Sequence, residues 1–305
     1  MKAGRSGYID PLSDIELRPV DRLAATVAIV IWGLNLVVGK VGLAQVPPLA
    51  LTAARFALVT LLLSPFLRRP PGSPWLVLAL GLVFGAGHFG LMFAGLAGVD
   101  AALAAIVIQL GVPFSAALAV AVDGERLSGR QLIGMMVAFL GVALLAGTPG
   151  ASSSRAHVLM LCGASLAWAV ASLMLRRLGH VSPFALNAWI GVLATPLLAA
   201  GSALFEESPL AALRSADWRA WGAVLFMAVG ASIIAHGAWY RLLGRYPVAR
   251  IAPLTLLAPA LGVVFAVVLL GEPLGLHRAA GGLVTIGGVA MIQVGQTRRL
   301  PRRTA

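Results

Sequence analysis

The sequence predicts an all-α membrane protein: ten transmembrane helices in two inverted five-helix repeats, with both termini in the cytoplasm. Three observations lead there. Of the 305 residues 59% are hydrophobic and 11% charged, whereas a soluble domain is about 25% charged. Long apolar runs recur along the chain, separated by short polar connections. The 23 Lys and Arg outnumber the 11 Asp and Glu, and they collect in alternate connections. A net charge of +12 in a soluble protein would suggest nucleic acid. Here the cations stand singly or in pairs between apolar runs, with no patch interleaved with stacking aromatics, so no nucleic-acid partner is expected.

A spanning helix needs about 20 mainly apolar residues. Ten segments qualify: 23–43, 47–67, 74–96, 100–122, 129–147, 156–175, 183–205, 219–241, 248–270 and 277–295. Residues 1–22 form a polar cytoplasmic tail carrying Asp10, Asp14, Glu16, Arg18, Asp21 and Arg22. It lacks the apolar core and cleavage site of a signal peptide, so the first apolar segment is expected to stay as an anchor. The first repeat covers 23–147, a linker 148–155, the second repeat 156–295 and a basic cytoplasmic tail 296–305. Prolines punctuate the connections at Pro47-Pro48, Pro70-Pro71, Pro149, Pro183 and Pro209. Helices fit these continuous runs better than barrel strands, because lipid requires each backbone polar group to be paired within its segment. Cys162 is the single cysteine, which excludes an intrachain disulfide and a thiolate metal cluster.

Orientation follows from the cations. With a cytoplasmic N-terminus the inner set is Lys2, Arg5, Arg18, Arg22, Arg68, Arg69, Arg126, Arg130, Arg176, Arg177, Arg241, Arg245, Arg250, Arg298, Arg299, Arg302 and Arg303. The outer set is Arg155, Arg214, Arg219 and Arg278, a ratio of 17 to 4. Lys40 and Arg55 fall inside spans. These features place the chain in the bacterial inner membrane, in contact with the lipid bilayer.

The second half echoes the first. Gly124-Glu125-Arg126-Leu127 matches Gly271-Glu272-Pro273-Leu274 at an offset of 147, and the same offset lays Gly134 and Gly141 on Gly281 and Gly288. Trp32 corresponds to Trp168 at offset 136, and His88 to His236 at offset 148. An odd number of spans per copy makes the repeat inverted, the arrangement of secondary transporters with a substrate site near the midplane.

The chain resembles the drug/metabolite transporter superfamily, in its EamA-type branch. The resemblance rests on Trp32-Gly33-Leu34-Asn35, Lys40-Val41-Gly42-Leu43, Pro47-Pro48, Arg55-Phe56 and Gly124-Glu125-Arg126-Leu127 in the first half. In the second it rests on Leu242-Leu243-Gly244-Arg245-Tyr246, Ala252-Pro253-Leu254 and Gly271-Glu272-Pro273-Leu274. It is most similar to bacterial exporters of amino acids and their metabolites, including O-acetylserine/cysteine and aromatic amino acid exporters. The resemblance implies a central cavity lined largely by spans 1, 3, 4, 6, 8 and 9, and amino acids as small-molecule substrates.

Depth along each span, at about 1.5 Å per residue, selects the candidate substrate-binding residues. Trp32 and Asn35 lie on one face of span 1, Gln109 in span 4 and Trp168 in span 6, all near the middle of a ~30 Å core. The amides donate and accept, which suits a zwitterion. The tryptophans offer walls and a cation–π face. Against this stands plain interhelical bonding and packing. His88 and His236 line or gate the two vestibules, or else are neutral rings bonded to carbonyls. Trp239, one turn beyond His236, lines the site or packs. Lys40 and Arg55 hold a substrate carboxylate, pair structurally with Asp100 or Glu272, or snorkel. Pro113, Pro253 and Pro259 remove helical donors in equivalent helices and serve as hinges or static kinks. Trp75, Trp218 and Trp221 read as interfacial anchors.

No acid lies deep in a span, so transport is expected to be facilitative, with histidine-linked proton coupling the lesser option. No cofactor and no metal site are expected. An enzyme is not expected either: there is no His-Glu-x-x-His zinc motif, and Gly163-Ala164-Ser165 is not a nucleophile elbow. A drug-like or other small metabolite is the rival cargo. An intramembrane enzyme and a non-transporting receptor are the rival classes. Small-residue spacing such as Gly81-x-x-x-Gly85 supports close helix packing, in a monomer or weak homodimer.

Overall fold

Prolines begin four of the long helices. In the computed structural model, which describes residues 17–124, 127–146, 155–178, 181–243, 245–246 and 251–297, Pro19, Pro48, Pro74 and Pro183 each open a helix. There the missing N–H is one the helix could not have used, and the fixed φ suits the first turn. All regular structure among the described residues is helical. The long elements are α1 (Pro19–Leu43), α2 (Pro48–Leu62), α3 (Pro74–Ala97), α4 (Ala101–Val122), α5 (Gly129–Ala146), α6 (Arg155–Leu178) and α7 (Pro183–Phe205). They continue with α8 (Trp218–Leu225, Phe226–Ala235 and His236–Leu243 in one run), α9 (Ala252–Leu256 leading into Leu257–Leu270) and α10 (Leu276–Thr297).

Six of these helices, α1, α3, α4, α6, α7 and α8, are long and apolar enough to cross a membrane. The other four segments are apolar but shorter: Pro48–Leu62, Gly129–Leu144, Leu254–Leu270 and Ala279–Ile292. The expected span 47–67 stops early because Pro65 cannot donate, and the chain tightens into a 3₁₀ turn at Ser64–Phe66. The span expected at 248–270 begins, among the described residues, with a 3₁₀ turn at Ala252–Leu256 that contains Pro253. The tail 1–16, the linker 148–154, Glu125-Arg126 and the end of the basic tail lie outside the described residues.

Helix ends are closed by side chains from elsewhere in the chain. The Glu206 carboxylate accepts from the Leu49 and Ala50 amides at 2.6 and 3.0 Å. Glu272 does the same for Ala101 and Ala102 at 2.7 and 2.9 Å. In both cases a negative charge meets the positive end of a helix, α2 and α4 respectively. Gly124 and Gly271 end α4 and α9 in the left-handed region, at φ 67° and 68°, which glycine adopts without strain.

The core is built where α1, α2, α3, α4 and α9 converge, around Leu36, Phe56, Phe93, Leu96, Leu103 and Ala266. α5 lies along α10, α2 along α7, α1 against α9 and α8, and α6 against α3 and α4. Glycines allow close approach: Gly33 faces Leu261 and the Ala258 carbonyl of α9, and Gly288 faces the Ala138 backbone of α5. The Gly81 and Gly85 pair packs within the chain, on Leu193, Ile190 and Ala194 of α7. At the other end, Asp21 is buried beneath Tyr246, whose hydroxyl donates to it at 2.8 Å, with Arg245 at 3.2 Å. That cluster joins the start of α1 to the end of α8.

Candidate functional site

Two aromatic–histidine pairs mark the interior. Trp32 of α1 packs edge-on to His236 of α8 with ring centroids 5.4 Å apart, and Trp239 stands 5.4 Å from the same indole. Trp168 of α6 lies 5.2 Å from His88 of α3, with Phe84 5.3 Å from that indole. Each tryptophan from one half of the chain thus meets a histidine from the other half. Sequence offsets relate the tryptophans to each other and the histidines to each other, but they do not reveal this crossed partnership.

Both histidines sit at the end of a π-helical stretch. Gly81–His88 winds as a π-helix within α3, and Phe226–Ala235 does so immediately before His236 in α8. π turns are rare and collect at functional places. Such a turn widens the helix and displaces a carbonyl from its usual partner. His236 Nδ1 lies 2.6 Å from the Ala231 carbonyl, five residues back. His88 Nδ1 lies 2.8 Å from the Ala164 carbonyl of α6. A carbonyl only accepts, so Nδ1 carries the proton in each ring. Both histidines therefore make the backbone bond that one of the two sequence readings describes.

The remaining candidates divide. Asn35 is buried one turn beyond Trp32, and its Oδ1 has no hydrogen-bond partner among the described residues. Gln109 is half-buried in a 3₁₀ turn, Ile108–Leu110, that interrupts α4. Pro113 follows that turn in α4, just as Pro259 follows the Ala252–Leu256 turn in α9. Pro253 lies inside the latter turn, and its side chain is outside the described residues. A groove of about 480 Å³ opens on the flank between α2 and α7, lined by Ala57, Thr60, Leu61, Val192, Thr195 and Pro196. None of the candidate substrate residues borders it.

Lys40 donates to the carbonyls of Leu96 and Val99 at 2.9 and 2.6 Å and so closes the end of α3. Asp100 and Glu272 are within electrostatic reach of it. Of the three sequence readings of Arg55, pairing with Asp100 or Glu272 is not the one the geometry shows: its hydrogen bonds go to Ser232 of α8, at 3.2 and 2.9 Å. The physical reason is reach, since Glu272 is occupied at the α4 N-terminus while Ser232 lies on the helix packed beside α2. The site also holds Phe84, Phe89 and Ser232, which sequence reasoning did not single out. The Arg55-Phe56 step was visible, but nothing local announces a partner 177 residues away.

Among the described residues no group of His, Cys, Asp and Glu is placed to hold a metal ion. Apolar helices with polar side chains gathered in their interior define a multi-pass membrane protein of the transporter class. The chain belongs to the EamA-like transporter family, whose model matches residues 22–147 and again 155–294. It is 34% identical over 278 residues to a protein of Salmonella typhimurium strain LT2 called a probable amino-acid metabolite efflux pump, covering 88% of this chain and 93% of that one. A protein of Escherichia coli K12 bearing the same name is 34% identical over 284 residues, with the same coverage. A probable terminal-alkyne amino-acid exporter of Streptantibioticus cattleyicolor is 30% identical over 215 residues, 67% of each chain. A solved structure shares the fold at TM-score 0.61 and 24% identity, covering 90% of this chain and 96% of its own.

Proposed function

We propose that the protein is an inner-membrane exporter of amino acids or their metabolites. In this reading ten spans form two inverted five-helix repeats around a central site, with both termini cytoplasmic, and work by alternating access. The observation that carries the reading is the crossed Trp32–His236 and Trp168–His88 pairing, a site assembled equally from both halves. The helix packing supports it: replacing each helix by the one five places along turns α1–α9 into α6–α4 and α3–α6 into α8–α1, both of which are also packed pairs. The two separate family-model matches support the same division. The naming of relatives from Salmonella and Escherichia supports the cargo.

Trp32 and Trp168 flank the substrate side chain, Asn35 and Gln109 offer amide contacts, and Trp239 backs Trp32. Pro113 and Pro259, each just beyond a 3₁₀ break, are the hinges. With no acid deep in a span, export runs down the substrate's own gradient. The test is counterflow of a radiolabelled amino-acid panel in proteoliposomes, with and without a pH gradient, for the wild type and for Trp32→Ala, Asn35→Ala and Gln109→Ala. The expected result is gradient-independent exchange that each substitution reduces at least severalfold. Exchange of lipophilic cations with no amino acid carried would instead support the drug-efflux rival.

A further inference from the structure

We propose that Arg55 is the anchor for the substrate carboxylate, so that the acid group is the charge the site reads. The inference rests on the exporter reading and assigns chemistry within that same site.

Arg55 is 1% exposed, and its donors are only partly used. Nε and Nη2 both point at one atom, Ser232 Oγ, whose own proton goes to the Met227 carbonyl at 3.1 Å. Nη1 is buried with no partner among the described residues. A guanidinium presents five N–H donors in a fixed planar fork and stays charged. A buried cation needs a counter-ion or full hydrogen bonding, and among the described residues no carboxylate is hydrogen-bonded to it. Glu206 and Glu272 are held at helix N-termini, and Asp21 is held by Tyr246 and Arg245. Instead the guanidinium sits 4.5 Å from the Phe89 ring centroid, with Phe56 and Phe93 at 5.6 and 5.9 Å. These ring faces attract the cation without neutralising it.

Its position ties it to both halves of the site. Phe89 touches His88, centroids 4.7 Å apart, and His88 touches Trp168. Ser232 belongs to the π-helical stretch that leads into His236, which touches Trp32. Lys40, the other cation inside a span, has its ammonium directed to backbone carbonyls of the α3 end. Arg55 is therefore the cation with donors to spare. The complementary atom, Asn35 Oδ1, is a buried acceptor, and it is neutral. It can take an N–H from an ammonium or from an N-acyl nitrogen alike, so no fixed negative charge demands that the substrate's nitrogen be charged.

The experiment uses the full chain in detergent and in proteoliposomes, with three probes sharing one side chain: L-phenylalanine, N-acetyl-L-phenylalanine and L-phenylalaninamide. Binding is followed by tryptophan fluorescence, and exchange by competition against the best-carried amino acid. O-acetyl-L-serine and L-cysteine are run beside their amides. The acids should compete well and the amides at least tenfold worse, as a charge-assisted hydrogen bond predicts. Arg55→Met should erase that preference by weakening the acids alone. Arg55→Lys, which keeps the charge, should retain it at lower affinity and is informative if Arg55→Met does not fold. An amide as good as its acid in the wild type, or a uniform loss for all probes in Arg55→Met, overturns the anchor and leaves the exporter reading standing. Carriage of lipophilic cations with no acid bound overturns both.

Discussion

Gly288→Ala should weaken the contact between α5 and α10, and the structure sets the size of the effect. A Cβ at position 288 would press on the Ala138 amide nitrogen and lie 2.6 Å from the Gly134 carbonyl oxygen and 2.9 Å from Ala138 Cα. These are backbone atoms, so no side-chain rotation makes room. Carbon atoms rest at about 3.5–4.0 Å, and the two helices must therefore part by roughly 1 Å. The strain cannot be absorbed locally, because the seam is equally tight elsewhere: a Cβ added at Gly134 would lie 2.7 Å from the Gly288 carbonyl oxygen, and one at Gly141 2.9 Å from the Gly281 carbonyl oxygen. Overpacking of this kind costs about 1–3 kcal/mol. Alanine recovers about 0.5–1 kcal/mol over glycine within a helix, leaving a net loss of roughly 0.5–2 kcal/mol. Gly287 is the internal control: it is next in the chain, on the same helix, and a Cβ there meets nothing within 4 Å. Melting followed in detergent should shift down for Gly288→Ala and up or not at all for Gly287→Ala. Equal melting temperatures for the two variants would refute the backbone-contact argument.

Two further outcomes follow from the helix ends. Glu272→Ala should cost about 1.5–3 kcal/mol, the value of hydrogen bonds to a charged group, because two α4 amides lose their acceptor; chemical unfolding in detergent measures it. At the start of α8 the Asp217 carboxyl lies below its ordinary range, held there first by the Gln45 side-chain amide and then by the Arg219 and Ala220 backbone N–H groups. A lowered folded-state pKa stabilises above the unfolded value of about 3.9, and that contribution fades as pH falls through the folded value. Melting curves between pH 5 and pH 3 should therefore drop more steeply for the wild type than for Asp217→Asn; parallel curves would show that this cap has no part in the acid response.

Six helices long and apolar enough to cross a membrane were legible in order because lipid imposes a length on an apolar run, and runs of about 20 residues are hard to mistake. Helix ends were less so. Pro65 ends α2 five residues before the apolar pattern fades, since a missing donor acts on the backbone and leaves composition unchanged. The π-helical stretches were invisible for a related reason: Gly81–His88 and Phe226–Ala235 are ordinary apolar sequence, and the register change appears only in the hydrogen bonds. The histidines that close these stretches were singled out, but by their offset and not by what they touch.

Arg55 shows where such reading stops. A cation in an apolar run permits three interpretations from sequence: pairing, snorkelling or substrate contact. Pairing fails on geometry, because Glu206 and Glu272 serve helix N-termini and the Arg55 hydrogen bonds go to Ser232. Snorkelling fails on burial, since the side chain is 1% exposed and ringed by Phe56, Phe89 and Phe93. What separates the third from a purely structural role is the census of its donors. A structural guanidinium at this depth should have them satisfied, and Nη1 does not. That census depends on Ser232, a hydroxyl brought beside α2 by a helix from the other half of the chain, and no pattern along the sequence encodes which hydroxyl arrives there or how many protons it leaves unused.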